Sequence, residues 1–159
     1  MIRRRRVAGV ASGALVLALA GCASIPADVD GTFDRVSAGG VLRVGVTANP
    51  PWTDTVDGEP SGSEVALIED FAERHDADLR WTEGAERVLA EALRSGELDV
   101  AIGGFTDSAP WTAEAAFSDV YVEAVGPTGR MEGHVMLTRL GENRFLVELE
   151  EFLRAEVGP

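Results

Sequence analysis

The chain contains no lysine; all 14 of its basic residues are arginine. It holds one cysteine, Cys22, so no disulfide can form within it. Beyond residue 22 no apolar run approaches the length of about 20 residues that a membrane-spanning helix needs. Positive charge is scarce as well. Four arginines stand at positions 3–6, and the rest of the chain sets 27 acidic residues against 10 arginines, a formal charge of −17. Such a surface repels phosphate backbones, which argues against nucleic acid as a partner. The two histidines, His75 and His134, are isolated, with no partner at metal-ligand spacing. No Ser-His-Asp order, phosphate-cradling glycine loop or nucleophile elbow is present. Neither an enzyme nor a bound metal or cofactor is expected.

The N-terminus is expected to be a leader rather than part of the fold. Arg3-Arg4-Arg5-Arg6 is a positive region, and Val7 to Ala20 is a run of small apolar residues too short to cross a bilayer. The run ends Leu19-Ala20-Gly21-Cys22, which resembles the lipobox of bacterial lipoproteins, where the cysteine is lipidated and becomes the mature N-terminus. That resemblance implies residues 1–21 as signal peptide, lipidation at Cys22, and attachment to the outer face of the cytoplasmic membrane by a lipid anchor. Residues 22–36 carry Pro26, several aspartates and little apolar periodicity, and are expected to be a flexible tether. The domain is expected to run from 37 to 159.

Within it, Val41 to Val46 has the branched residues of a strand, ended by Asn49-Pro50-Pro51-Trp52 because two prolines cannot continue a central strand. Ser63 to His75 is expected to be a helix capped by Ser63, with Val65, Leu67, Ile68, Phe71 and Ala72 inward. An acid at its start, Glu64, suits the helix dipole better than a general-acid role. Leu79 to Thr82 alternates as a strand. Ala85 to Ser95 is expected to be a helix with Val88, Leu89, Ala92 and Leu93 inward and Gly96 at its C-cap. Val100 to Ile102 is a buried strand that stops at Gly103-Gly104. A polar loop (Thr106, Asp107, Ser108, Pro110) and a helical turn from Thr112 to Ala116 follow. Phe117 to Val125 and His134 to Thr138 are expected as further strands, and Asn143 to Glu156 as a closing helix. Alternation of this kind predicts an α/β fold in three αβα layers around a mostly parallel sheet.

Several stretches, in order, resemble the bacterial extracellular solute-binding proteins of family 3, the amino-acid receptors of ABC importers. These are Val41 to Val46 with Pro50-Pro51-Trp52, Gly62 to Leu67, Leu93-Arg94-Ser95-Gly96-Glu97-Leu98-Asp99, and Phe117-Ser118-Asp119-Val120-Tyr121. The resemblance implies the first lobe of a type II periplasmic binding protein, with the second lobe absent. It also implies a small polar, amino-acid-like solute, an ABC permease or other membrane protein as partner, and ligand contacts from Trp52, Gly103, Gly104, Phe105, Thr106 and Trp111. Trp111 stands where the family places the arginine that grips the ligand's carboxylate, a task suited to a planar guanidinium. The alternative is an accessory lipoprotein whose half-cleft, with Trp52, Phe105 and Trp111 as an apolar patch, docks a protein and binds no solute.

Overall fold

A computed structural model describes residues 27–56 and 58–158. The elements are α1 (Thr32–Ser37), β1 (Val41–Val46), α2 (Ser63–Arg74), β2 (Asp78–Glu83), α3 (Glu86–Ser95), β3 (Val100–Ile102), β4 (Ala115–Phe117), β5 (Val122–Val125), β6 (Met131–His134), β7 (Leu137–Arg139) and α4 (Asn143–Val157). The main sheet has the order β2-β1-β3-β7-β4. Its β1–β2 and β1–β3 pairs are parallel, and β7 runs antiparallel to both β3 and β4. β5 and β6 form a separate antiparallel hairpin.

Strand alternation divides the core in two. Val100 and Ile102 of β3 point to one side, where α1, α2 and α4 pack with Leu42, Val44 and Val46. Ala101, between them, points to the other, where α3 supplies Leu89 and Leu93 against Leu98, Val135 and Leu137. Helices thus cover both faces of a mostly parallel sheet, as expected. The N-terminal end of β3 is locked by Asp99, which is fully buried and pairs with Arg35 Nη2 (2.7 Å) and Arg43 Nη2 (2.6 Å). Burial alone would push the Asp99 carboxyl up; the hydrogen bonds from Arg43 and Arg35 override it and hold the group below its ordinary value.

The segment from residue 28 onward is not a tether. It carries α1, with Phe33 and Val36 buried, and its start is tied to the start of α4. Asp28 Oδ1 accepts hydrogen bonds from Arg144 N (2.8 Å) and Phe145 N (2.9 Å), while its Oδ2 takes Phe33 N (2.7 Å). Glu142 returns the favour to the start of α1, accepting from Asp30 N and Thr32 N, both at 2.9 Å. Of the acids that give this stretch the look of a solvated linker, Asp28 caps the starts of two helices, while Asp30 and Asp34 pair with Arg139 and Arg144. Residues 22–26, with Cys22, lie outside the described residues.

Other boundaries shift for local reasons. Val88 is 57 % exposed, on the solvent side of α3. The turn at Thr112 ends before Ala115, where β4 already begins. The single strand expected over Phe117 to Val125 is two strands in different sheets. They separate where the Ser118 hydroxyl accepts Met136 N (2.9 Å) and Asp119 N turns to Glu150 (2.8 Å). The stretch His134 to Thr138 divides likewise, between the end of β6 and the start of β7.

Candidate functional site

The carboxyl ends of β1 and β3 open onto the loops at 47–53 and 103–107. α2 begins at this point, and its first N–H groups are met by the preceding turn: Glu64 N donates to Trp52 O (3.0 Å) and Ser63 N to Pro51 O (3.3 Å). Ser63 is therefore the first helical residue, and Gly62, not its hydroxyl, holds the cap position. Only a glycine suits position 62. Its φ is 122°, and a Cβ there would overlap the Trp52 carbonyl.

Glu64 is wholly buried. Its Oε2 accepts the N–H of Gly103 (2.7 Å) and of Gly104 (2.9 Å), and its Oε1 accepts the Tyr121 hydroxyl. Burial pushes its carboxyl above the ordinary range, although the bonds from Tyr121, Gly104 and Gly103 and the nearby His134 oppose that rise. Tyr121 is pushed up in turn, by burial and by the Glu64 carboxylate beside it. A dipole effect is thus the lesser part of this residue's role. It clamps the end of β3 to the start of α2.

The glycine pair follows from this clamp. Gly104 has φ 66°, and a Cβ on it would stand 2.5 Å from both Asn49 Nδ2 and Trp52 Cδ1. Asn49 Nδ2 donates to Gly103 O (2.8 Å), closing the loop from the other side. Trp52 is half-buried, and its ring stacks on His134 with centroids 3.9 Å apart and planes 33° apart. His134 is 4 % exposed, and its Nδ1 is buried without a hydrogen-bond partner among the described residues.

Opposite His134 lies Thr106. The pair forms an antiparallel bridge flanked by Val135 N→Phe105 O and Asp107 N→Gly133 O, both 2.9 Å. That pattern is a non-hydrogen-bonded pair, which brings the two side chains together on one face. Thr106 Oγ1 lies 2.9 Å from Ser108 Oγ.

Of the residues singled out in the sequence, Trp52, Gly103, Gly104 and Thr106 come together here. Phe105 does not join them: it is 3 % exposed and packed with the α3-side core. Trp111 also leans on that core, and its Nε1 donates to Glu86 Oε2 (3.3 Å) at the start of α3. The apolar patch of Trp52, Phe105 and Trp111 is therefore not one surface, because Phe105 faces inward. Glu64, Tyr121, His134 and Asn49 complete the site without having stood out as site residues. Glu64 carried one signal, an acid in phase with Ile68 and Phe71 on the inward face of its helix. Among the described residues no cluster of three His, Cys, Asp or Glu side chains is placed to hold a metal ion, and no helix is long and apolar enough to cross a membrane.

The family model for bacterial extracellular solute-binding proteins, family 3, matches residues 42–153. Among solved structures, the arginine-bound form of domain 1 from TmArgBP is 28 % identical with a TM-score of 0.66, over 76 % of this chain and 96 % of that one. An ancestral cationic amino acid solute-binding protein, AncCDT-1, is 15 % identical with a TM-score of 0.68, over 78 % of this chain and 93 % of that one. The L-cystine solute receptor of Neisseria gonorrhoeae, unliganded and open, is 11 % identical with a TM-score of 0.63, over 78 % and 90 %. The last two likenesses speak to fold alone. No curated protein sequence matches the chain.

Proposed function

Because the chain belongs to the bacterial extracellular solute-binding proteins of family 3, we propose that it is an extracytoplasmic receptor that takes a small polar, amino-acid-like solute for an ABC importer. The family is one of binding proteins rather than enzymes. The observation that carries the reading is the clamped loop at the end of β3. Glu64 occupies the Gly103 and Gly104 amides, so these do not face a ligand; the loop they fix sets Thr106 opposite His134, whose ring stacks on Trp52. Ligands of open α/β sheets sit at this end of the strands.

One lobe suffices in this reading. Domain 1 from TmArgBP is described in an arginine-bound form, and this chain aligns with 96 % of it. A solute on a single lobe stays open to water on its far side, so affinity is modest until a membrane partner covers it. Lipidation at Cys22 would hold the receptor at the outer face of the membrane. Replacement of Cys22 by serine should release the protein from the membrane fraction; retention there would sink the anchor.

Thermal-shift and calorimetric titration with the common amino acids test the receptor itself. A stabilising solute whose effect is lost in Thr106→Ala supports it. A second reading, an accessory lipoprotein that docks a protein on this face, is favoured by one observation: Trp111 cannot neutralise a carboxylate and is turned to Glu86. Silence toward every solute, with a membrane protein co-purifying, would favour that second reading.

A further inference from the structure

The amino end of β1, remote from the solute site, gathers positive charge in a chain that has little of it. α3 ends at Gly96, level with Arg43 of β1, whose Nη1 donates to the Gly96 carbonyl (2.6 Å). Arg80 of β2 is the register partner of Arg43, so both side chains leave the sheet on the same face. Arg139 follows Leu137 of β7 on the face that α3 covers, and Arg35 reaches in from α1 to share Asp99 with Arg43. These four arginines line one groove of about 290 Å³ with Asp30 and Val41. Beyond residue 6 the chain has only ten arginines against 27 acids, so four in one groove is a concentration the composition does not supply by chance.

The acids here do not use up the guanidiniums. Asp99, in the floor, serves both Arg35 and Arg43. Arg139 pairs with Asp30, a half-exposed carboxylate, and finds no acceptor for Nε among the described residues. Glu142 lies near enough to act on Arg43 and Arg139, but its oxygens are taken by the Asp30 and Thr32 amides. Arg80 is exposed and makes no ion pair or hydrogen bond among the described residues. Four guanidiniums thus face three carboxylates, and the unpaired one stands one strand spacing, about 4.8 Å, from Arg43. Like charges so placed repel unless an anion lies between them. An ion can reach them, since the side chains of Arg35, Arg43 and Arg139 keep 35, 27 and 22 % of their surface exposed.

The number of donors selects the anion. One guanidinium fork already satisfies a carboxylate, whereas a phosphate brings three acceptor oxygens and close to two charges, enough for several forks at once. The rest of the surface selects its size. At a formal charge of −17 the chain as a whole repels an anionic bilayer. A small ion inside the groove meets chiefly the guanidiniums, because charges beyond about 8 Å are screened at physiological ionic strength.

We propose that this groove binds a phosphate group carried by a small soluble ligand, with Arg80 and Arg139 as its main contacts and Arg43 between them. The site is separate from the solute site and does not rest on the receptor reading.

Titration calorimetry of the full chain with inorganic phosphate should give a saturable heat that sodium chloride weakens. Arg80→Gln has no partner to lose, so the melting temperature in phosphate-free buffer should hold while phosphate binding weakens roughly tenfold, the scale of one charge-assisted hydrogen bond. Arg87→Gln removes the same charge from the exposed side of α3 and should leave binding unchanged. Stabilisation by phosphate as an excluded salt neither saturates nor distinguishes these two variants. No saturable heat, or equal binding by the Arg80 and Arg87 variants, overturns the site. Recruitment of Cys22→Ser protein to phosphatidylglycerol vesicles over phosphatidylcholine vesicles, lost on adding Arg80→Gln, overturns the soluble ligand and makes a lipid headgroup the source of the phosphate.

Discussion

Glu64 and Tyr121, 57 positions apart, share a buried hydrogen bond in which the phenol donates to Oε1. With the Gly103 and Gly104 amides on Oε2, this joins α2, the β3 loop and the segment leading to β5 at one carboxyl group. Glu64→Ala would leave two amides and a hydroxyl without an acceptor. Since one unsatisfied buried group costs about 1–3 kcal/mol, the variant should lose roughly 3 kcal/mol or more in urea denaturation. Glu64→Gln retains an acceptor oxygen and should lose less than half as much.

The same residue sets a pH dependence. Burial raises the folded-state pKa of Glu64 above its ordinary 4.5, so the folded protein holds that proton more tightly than the unfolded chain. Its contribution is therefore fully present below that value and is lost as pH rises through the folded pKa. Asp99 and Glu142 are shifted the other way, so their contribution is present above the ordinary carboxylate range and disappears as pH falls below it. The melting temperature should climb as pH is lowered from neutral toward about 4.5 and fall again under stronger acid. Glu64→Gln should flatten the climb and leave the acid fall unchanged.

Asp28 caps α4 from far away in the chain and holds α1 with its other oxygen. Asp28→Ala should cost about 2 kcal/mol, at the upper end for a lost N-cap because three amides lose their acceptor. Hydrogen exchange should quicken over α1 and the first turn of α4. Equal exchange in both proteins would show that the N-terminal segment is not held by this residue.

Trp111→Arg places a guanidinium at the position where the family resemblance implies one. Trp111 is only partly buried, so the fold should survive with a loss of about 1 kcal/mol in packing. Affinity for an amino acid that already binds should rise about tenfold, measured by calorimetry, while that for its decarboxylated amine should not rise. An unchanged ratio would mean that residue 111 stands too far from the solute's carboxylate.

The elements that were legible in the sequence are those whose pattern is internal to them. β1, α2, α3, β3 and α4 follow their apolar periodicity to within a residue or two. What escaped depends on distant partners. Phe117 to Val125 is uniformly strand-like, and nothing in its spacing marks the point where the chain leaves one sheet for another. Asp28, Asp30 and Asp34 resemble a solvated linker because the helix Asp28 caps begins at residue 143. The candidate site divides the same way. Its backbone corner, Gly103-Gly104 and Thr106, was visible as a strand running into a turn. His134 was not, since an isolated histidine has no local signature and acquires its place only when β6 returns beside Thr106.

β7 lies between β3 and β4, although both precede it in the chain. Until residues 137–139 have been synthesised, those two strands have no shared neighbour and the sheet cannot close. Synthesis proceeds at about 5–20 residues per second, so the earlier segments spend seconds without their final partner. Until then β1, β2 and β3 can pair among themselves, and β4 joins their sheet only through the last strand to be made.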